Sequence, residues 1–419
     1  MANSENFISE LINKAYSVWW QDNKFILTKA KIENKKKASN EKITDKFVEK
    51  LFCEIENFPE DEKMRLIWKE KNQQELFDFV AATDLISKKD LDFLLSSEML
   101  FCTEDFLNMA KNFDDSLKLE DIGQAIRNVW IMNIIQILLN IKPKLSNSIF
   151  AYSMLYPYTD NFLDDTEINL TEKCIINDRF EAKLEGKAVE PRNSYEKNLF
   201  LLVEFIEKDF NRDVYPMVYK SLLSIHKAQK LSLKQQDIKS GPYEQDILGI
   251  SMEKGGTSVL ADAYLVQSEL NNEEANFFFV YGVMLQLCDD LQDIQEDKKN
   301  SHMTIASQLA GKWPLDNITD SVISLIDRNL EMAGCFHISN LENIKELIRN
   351  NARMLIIFSI AKNRKYYSRE YYKKMRAYFP FREAYMKNFY RNLKNKYSKV
   401  KESYGGLSTE KIILFLISK

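Results

Sequence analysis

The sequence predicts an all-α protein, on three observations. Gly and Pro number only 11 and 8 among 419 residues, too few for a β-rich or linker-rich chain. The long apolar runs repeat at helical rather than alternating spacing. They open on Ser or Asn and close at Pro, Gly or charged breaks, which are the start and stop signals of helices. With 45% hydrophobic residues the chain can bury a large core.

Taken in order, residues 1 to about 90 read as an N-terminal helical extension, amphipathic with charged breaks. Within it KAKIENKKKASNEKITDK, Lys29 to Lys46, reads as a solvated connector or exposed helix, because basic runs usually face water. Apolar content rises from about Ser96. LEDIGQAIRNVWIMNIIQILLNI, Leu119 to Ile141, reads as a core helix closed at Pro143. A second core helix begins in SNSIFAYSMLYPYTDNFLDD, with Ser146 or Asn147 as its N-cap. Glu181 to Ser194, with Gly186 and Pro191, reads as a loop, and NLFLLVEFIEKDF resumes helix. Gly241 and Pro242 mark another break. YEQDILGISMEKGGTSVLADAYLVQSEL is helical with Gly255 and Gly256 in its middle, where they are expected to break or kink it. NNEEANFFFVYGVMLQLCDDLQDIQEDKKN reads as one long helix capped by Asn271 or Asn272, with acids in its first turn. Further helices follow Trp313 and Pro314. There is no internal repeat by period.

Composition also excludes. Lys and Arg total 58, Asp and Glu 62, for a net charge of −4, so nothing points to nucleic acid. The five cysteines (Cys53, Cys102, Cys174, Cys288, Cys335) are scattered without CxxC spacing, as free thiols of a reducing compartment would be. Three histidines, His226, His302 and His337, are too few and too spread for a His-based metal site. The polar N-terminus is no signal peptide. The greasiest stretch, Val129 to Ile141, holds Asn133 and Gln136 and falls short of the ~20 residues of a transmembrane span. The expectation is a cytoplasmic protein without a transmembrane segment.

Two acid clusters stand out. DNFLDD, Asp160 to Asp165, follows Met154, Leu155, Tyr156 and Tyr158; DDLQDIQED, Asp289 to Asp297, follows the apolar run from Phe277. Residues four apart share a helix face. Asp160 therefore pairs with Asp164, while Asp289, Asp293 and Asp297 line up; Asp165, Asp290 and Glu296 lie to the side. Stacked carboxylates repel by a few tenths of a kcal/mol per pair at a surface, and a cation reverses the sign. Oxygen-only ligands suit a hard ion, Mg²⁺, whose shell is completed by water and phosphate oxygens. Either cluster alone is as well explained as a solvated helix face. Two of them, each directly after an apolar run, favour a site. The candidate ligands are Asp160, Asp164, Asp165, Asp289, Asp290, Asp293 and Asp297, with Asp160, Asp164, Asp289 and Asp293 as the catalytic set. No D-x-D-x-D-G loop is present for an EF-hand and no paired E-x-x-H for a di-iron bundle.

Behind Asp289 the same face carries Gln286, Gly282, Phe279 and Phe278; behind Asp160 come Tyr156, Ser153 and Tyr152. The expected arrangement is carboxylates at a cavity mouth, a glycine making room below, and aromatic rings deeper. Phe277 to Phe279 are equally ordinary core. An apolar cavity roofed by Mg²⁺ fits a diphosphate head with a hydrocarbon tail.

These residues resemble the class I isoprenoid synthases, the all-α group of prenyltransferases, squalene and phytoene synthases and terpene cyclases. DNFLDD is similar to the first aspartate-rich motif, DDxxD(D), with Asn161 in its second position. In DDLQDIQED, Asp289, Asp290 and Asp293 match DDxxD, and Asp293, Glu296 and Asp297 match the DxxED form. The clusters lie about 130 residues apart, the separation this fold needs to face two helices, and the resemblance spans roughly Asp105 to Arg364. It implies a helical bundle around a central cavity over residues 91–419. EKGGTSVLAD stands where the family places a diphosphate-contacting lysine, here Lys254; Arg127 in QAIRNVW is a second anion ligand; NRKYYS resembles a late Arg-Tyr element of cyclases. There are departures. No GKxxR element and no N-D-x-x-S-x-x-x-E motif occur, and Leu163 replaces a glutamate of squalene synthases.

The resemblance implies Mg²⁺-dependent ionisation of an allylic prenyl diphosphate, followed by cyclisation or deprotonation of the carbocation. Head-to-head coupling of two prenyl diphosphates, and a non-catalytic helical binding module, stay open as alternatives, as does a homodimer.

Overall fold

The computed structural model describes residues 2–21, 31–83, 85–96, 98–114, 117–164, 168–236, 244–400 and 403–417. In chain order the α-helices are α1 (Ala2–Trp19), α2 (Asn34–Glu56), α3 (Glu62–Thr83), α4 (Lys88–Ser96), α5 (Met99–Phe113), α6 (Leu119–Leu138), α7 (Asn147–Asp164), α8 (Leu170–Leu184), α9 (Ser194–Asp209) and α10 (Pro216–Ser232). They continue as α11 (Ile247–Val266), α12 (Asn272–Gln292), α13 (Ile294–Lys299), α14 (Ile305–Leu309), α15 (Asp316–Glu331), α16 (Leu341–Lys362), α17 (Arg369–Met375), α18 (Glu383–Tyr397) and α19 (Thr409–Ile417). Among the described residues the only sheet is a two-stranded hairpin, β1 (Ser403–Tyr404) and β2 (Leu407–Ser408), turned by Gly405 and Gly406 at positive φ. The protein is all-α, and no described helix is long and apolar enough to cross a membrane.

The chain forms two compact units, each built from two separate stretches of sequence. The first comprises Met1–Phe25 and Glu120–Ala352; the second comprises Ile26–Leu119 and Arg353–Lys419. In the first, α11 and α12 are the central pair, with α10 beside α11, α15 beside α12, and α7 against α9 and α11. Helix α1 packs on α11, α12 and α15. Its Tyr16 hydroxyl donates to Asp246, the residue that caps α11 by accepting from the Gly249 N–H at 2.9 Å.

Local signals account for most helix ends. Ser146 Oγ accepts the Ile149 N–H at 3.2 Å, capping α7 as expected, and Asp209 adds bonds to Asn147 Nδ2 and the Ser148 N–H. Asn271 caps α12 in a full capping box with Glu274. Helix α8 runs to Leu184, into the expected loop. It stops in a Schellman turn: Gly186, at φ 83°, bonds the Lys183 carbonyl and Lys187 bonds that of Ala182.

In the second unit Ile55 and Phe58 pack with Trp68, Ile412 and Leu416. Of the two readings of the basic run, solvated connector or exposed helix, the structure shows helix from Asn34, though not an exposed one throughout. Lys37, Asn40 and Glu41 are buried on α2: Lys37 Nζ donates to the Arg376 carbonyl at 2.6 Å, Asn40 Nδ2 to that of Pro380, and Glu41 pairs with the Arg382 fork. A stretch rich in lysine still buries the members whose heads find carbonyls or carboxylates.

Candidate functional site

The site is built by helices of the first unit. Helix α7 brings Tyr152, Tyr156 and Asp160 to one face at four-residue spacing. Pro157 inside it removes one backbone hydrogen bond in the turn before Asp160. Helix α11 opposes it with Lys254, Ser258 and Asp262 at the same spacing. Lys254 Nζ lies 3.5 Å from Asp160 Oδ2, and the Tyr152 hydroxyl donates to the Ser258 carbonyl at 3.2 Å. Asp160 is buried; its Oδ1 accepts from Gln229 of α10 at 2.7 Å and the Tyr156 hydroxyl also bonds to it. The negative charge of Asp160 is the largest cause holding the Tyr156 phenol well above its ordinary pKa, followed by burial and Asp289.

Helix α12 supplies the second cluster. Burial raises the Asp289 pKa and Asp160 raises it further, against the charges of Arg127 and Lys254. These groups share one electrostatic neighbourhood. Asp290 is buried and pushed up to about 7, by burial first; Gln286 Nε2 donates to its Oδ1 at 2.9 Å. Its Oδ2 has no partner in hydrogen-bond geometry, although the nearby Ser251 hydroxyl lowers the pKa slightly. Asp297 is pushed up to about 8, by burial and then by Asp290, and accepts from Thr304 Oγ1 at 3.2 Å.

The second cluster is not one straight helix. Helix α12 ends at Gln292, Asp293 sits at the junction with φ −98° and ψ 10°, and α13 begins at Ile294. Asp is a poor helix former, and like charges four apart oppose continuation. Asp289, Asp293 and Asp297 therefore lie across a helix interruption rather than on one straight helix, and both Asp293 and Asp289 still raise the Asp297 pKa. Of the first cluster, the Asp164 side chain and Asp165 lie outside the described residues. Asn161 turns away and donates to Asp121 Oδ1 at 2.8 Å. Arg127 is exposed and acts through its charge on Asp289.

Between α7, α8, α10, α11 and α12 lies a cavity of about 40 Å³. Its walls include the expected Tyr152, Tyr156, Gln286 and Lys254, and also Phe180, Leu222, His226 and Gln229, which sequence reasoning missed. The volume is room for one or a few waters, against the roughly 300–1,000 Å³ of ordinary ligand pockets. Phe278, Phe279 and Gly282 do not line it. Phe278 is core against Phe277 and Phe336, and Phe279 covers Gly256. A Cβ on Gly282 would stand 2.0 Å from the Gly255 carbonyl oxygen, and one on Gly256 would stand 2.5 Å from the Phe279 ring. These glycines make no room for a ligand. They let α11 and α12 touch backbone to backbone, and α11 runs unbroken through Gly255 and Gly256.

One turn beyond Ser258 on α11, Asp262 is fully buried. Asn128 Nδ2 donates to its Oδ1 at 3.0 Å and its Oδ2 has no partner. Burial holds its pKa well above the carboxylate range, and it raises the phenols of Tyr152 and Tyr281 in turn. A carboxylate inside the apolar run VLADAYLV was the sequence signal for it.

The donor set suits a hard cation in type: oxygen only, with raised carboxylates and the unpartnered Asp290 Oδ2. Among the described residues, however, no three or more His, Cys, Asp or Glu stand as a metal-holding group. What is present fits an ion held by one or two carboxylates, as Mg²⁺ is when phosphate completes its shell.

No protein-family model matches the chain, and no curated protein and no solved structure matches it either.

Proposed function

We propose that the protein is a class I terpene synthase that ionises an allylic prenyl diphosphate and cyclises or deprotonates the cation. The observation that carries this is the meeting of Asp160 from α7, Asp289 from α12 and Lys254 from α11 above an aromatic-walled cavity. Asp160, Asp289 and Asp290 would hold Mg²⁺, whose part is to neutralise charge on the leaving diphosphate. Lys254, and Arg127 from the exposed side, are placed to bind its oxygens. The Tyr152 and Tyr156 rings, which line the cavity, would supply π density to a cation there. In this arrangement the hydrocarbon enters only if cavity-lining side chains move apart, since about 40 Å³ does not hold a prenyl chain.

That same volume favours a second reading, a helical protein that keeps the architecture as a binding module without turnover. The test is incubation with geranyl, farnesyl and geranylgeranyl diphosphate, with and without Mg²⁺, reading diphosphate release and product mass. Metal-dependent release with a product of the substrate's carbon count is expected; twice that count would mean head-to-head coupling. Absence of release from all three would leave the binding module standing. Asp160→Asn and Asp289→Asn should each abolish release, whereas a binding module would keep its affinity.

A further inference from the structure

His226 is used by none of the steps above, yet it lines the cavity and is only 2% exposed. Its Nε2 lies 3.1 Å from the Asn177 carbonyl oxygen. A carbonyl can only accept, so Nε2 carries the proton and the neutral ring keeps its lone pair on Nδ1. No described residue hydrogen-bonds Nδ1. The ring stands edge-on to Phe180, at 5.2 Å between centroids, which fixes its plane. Behind Nε2, at 3.8 Å, is the Glu181 carboxylate, itself paired with Lys230 at 2.8 Å.

The other polar walls of the cavity are worse bases. Lys254 is an ammonium against Asp160, Tyr152 and Tyr156 are held as neutral phenols, and Thr159, Ser258, Gln229 and Gln286 are weak oxygen or amide groups. Burial lowers the His226 pKa to about 4. The ring is therefore unprotonated at neutral pH, and a carbocation is acidic enough to lose a proton even to a weak base.

We propose that His226 Nδ1 is the base that takes the terminal proton and sets the alkene product. This rests on the terpene synthase reading. The C–H bond beside the cationic carbon breaks and its electron pair closes the new C=C bond. The proton joins the Nδ1 lone pair, Glu181 stabilises the resulting imidazolium from the Nε2 side, and the proton passes to water when product leaves.

Two measurements test this. Nitrogen-15 NMR of the histidine rings in the wild-type protein, with His226→Gln as the assignment control, needs no substrate. An Nε2–H tautomer with bare Nδ1 at neutral pH is expected, and an Nδ1–H tautomer overturns the proposal. In the second, wild type, His226→Gln and His226→Phe are given prenyl diphosphate and Mg²⁺. Alkene formed per diphosphate released should fall about 100-fold in the variants, with alcohol replacing it. The same alkene in the same proportion would overturn the base while leaving the synthase reading intact. No diphosphate release by the wild type would remove the reading itself, and this proposal with it.

Discussion

Lys254 is the cation seated on Asp160, and on the proposed terpene synthase reading its ammonium is where a leaving diphosphate would gain most. Lys254→Met should lower diphosphate release by about 100- to 1,000-fold while circular dichroism stays unchanged. Release at the wild-type rate would take Lys254 out of the site. Asp262 makes a different prediction, on stability. Its folded pKa lies well above the unfolded value, so the folded state keeps a proton that the unfolded state loses above about pH 4. Stability therefore falls as pH rises from there toward the folded pKa. Asp262→Asn keeps an acceptor for Asn128 and removes the titration. Its melting temperature should gain on wild type from pH 5 to pH 8, and a pH-independent gap would contradict the burial argument. His226 has the opposite sign: with a folded pKa near 4, its contribution is lost as pH falls from about 6.5. The acids at 160 and 289, Lys254, Tyr152, Tyr156 and Gln286 were legible because each lies on a short motif at helical spacing. Phe180, His226 and Gln229 were not. They reach the cavity from α8 and α10 by tertiary packing, and nothing in their local sequence marks it.

At the scale of helices, the crossing of α11 and α12 rests on three glycines. Gly282→Ala would force its Cβ to 2.0 Å from the Gly255 carbonyl oxygen, and backbone cannot step aside as a side chain can. The cost should be at least the 1–3 kcal/mol typical of overpacking. Gly123 in α6 is the control, since nothing lies within 4 Å of a Cβ there. Gly123→Ala should stabilise by about 0.5–1 kcal/mol through helix propensity. Urea unfolding of the two variants checks the opposite signs; equal midpoints would mean that the helices are not in contact as described. The glycine pair illustrates what a sequence leaves open. Gly255 and Gly256 read as a break because glycine disfavours helix, yet close contact with α12 outweighs that propensity. Caps were legible at Ser146 and Asn271, since a cap is a bond within three residues. The interruption at Asp293 was not, because helical periodicity continues across it while the backbone angles do not.

Across the whole molecule, the chain leaves the first unit after Phe25, builds part of the second, returns at Glu120 and leaves again after Ala352. All-α architecture was legible from composition and period, but this interleaving was not, because helical patterns carry no record of which distant segment shares their core. The consequence bears on any attempt to trim the protein. Were residues 1–90 a separate appendage, their deletion would leave a folded remainder. The packing predicts the reverse, for two separate reasons. Deletion removes α1, whose Leu11, Ala15, Val18 and Trp19 are buried and whose Tyr16 bonds the residue capping α11. It also strips Ile55, Phe58 and Trp68 from the apolar cluster that covers Ile412 and Leu416. Leaving those apolar faces uncovered costs about 1.5–3 kcal/mol per large side chain, and several such losses exceed the 5–15 kcal/mol by which domains are stable. A chain beginning at residue 91 should therefore aggregate or lack a cooperative melting transition by calorimetry, and restoring Ala2–Phe25 alone should not rescue it, because the second unit would still lack its partners. A soluble 91–419 fragment with a sharp transition would show that the first ninety residues are an appendage after all.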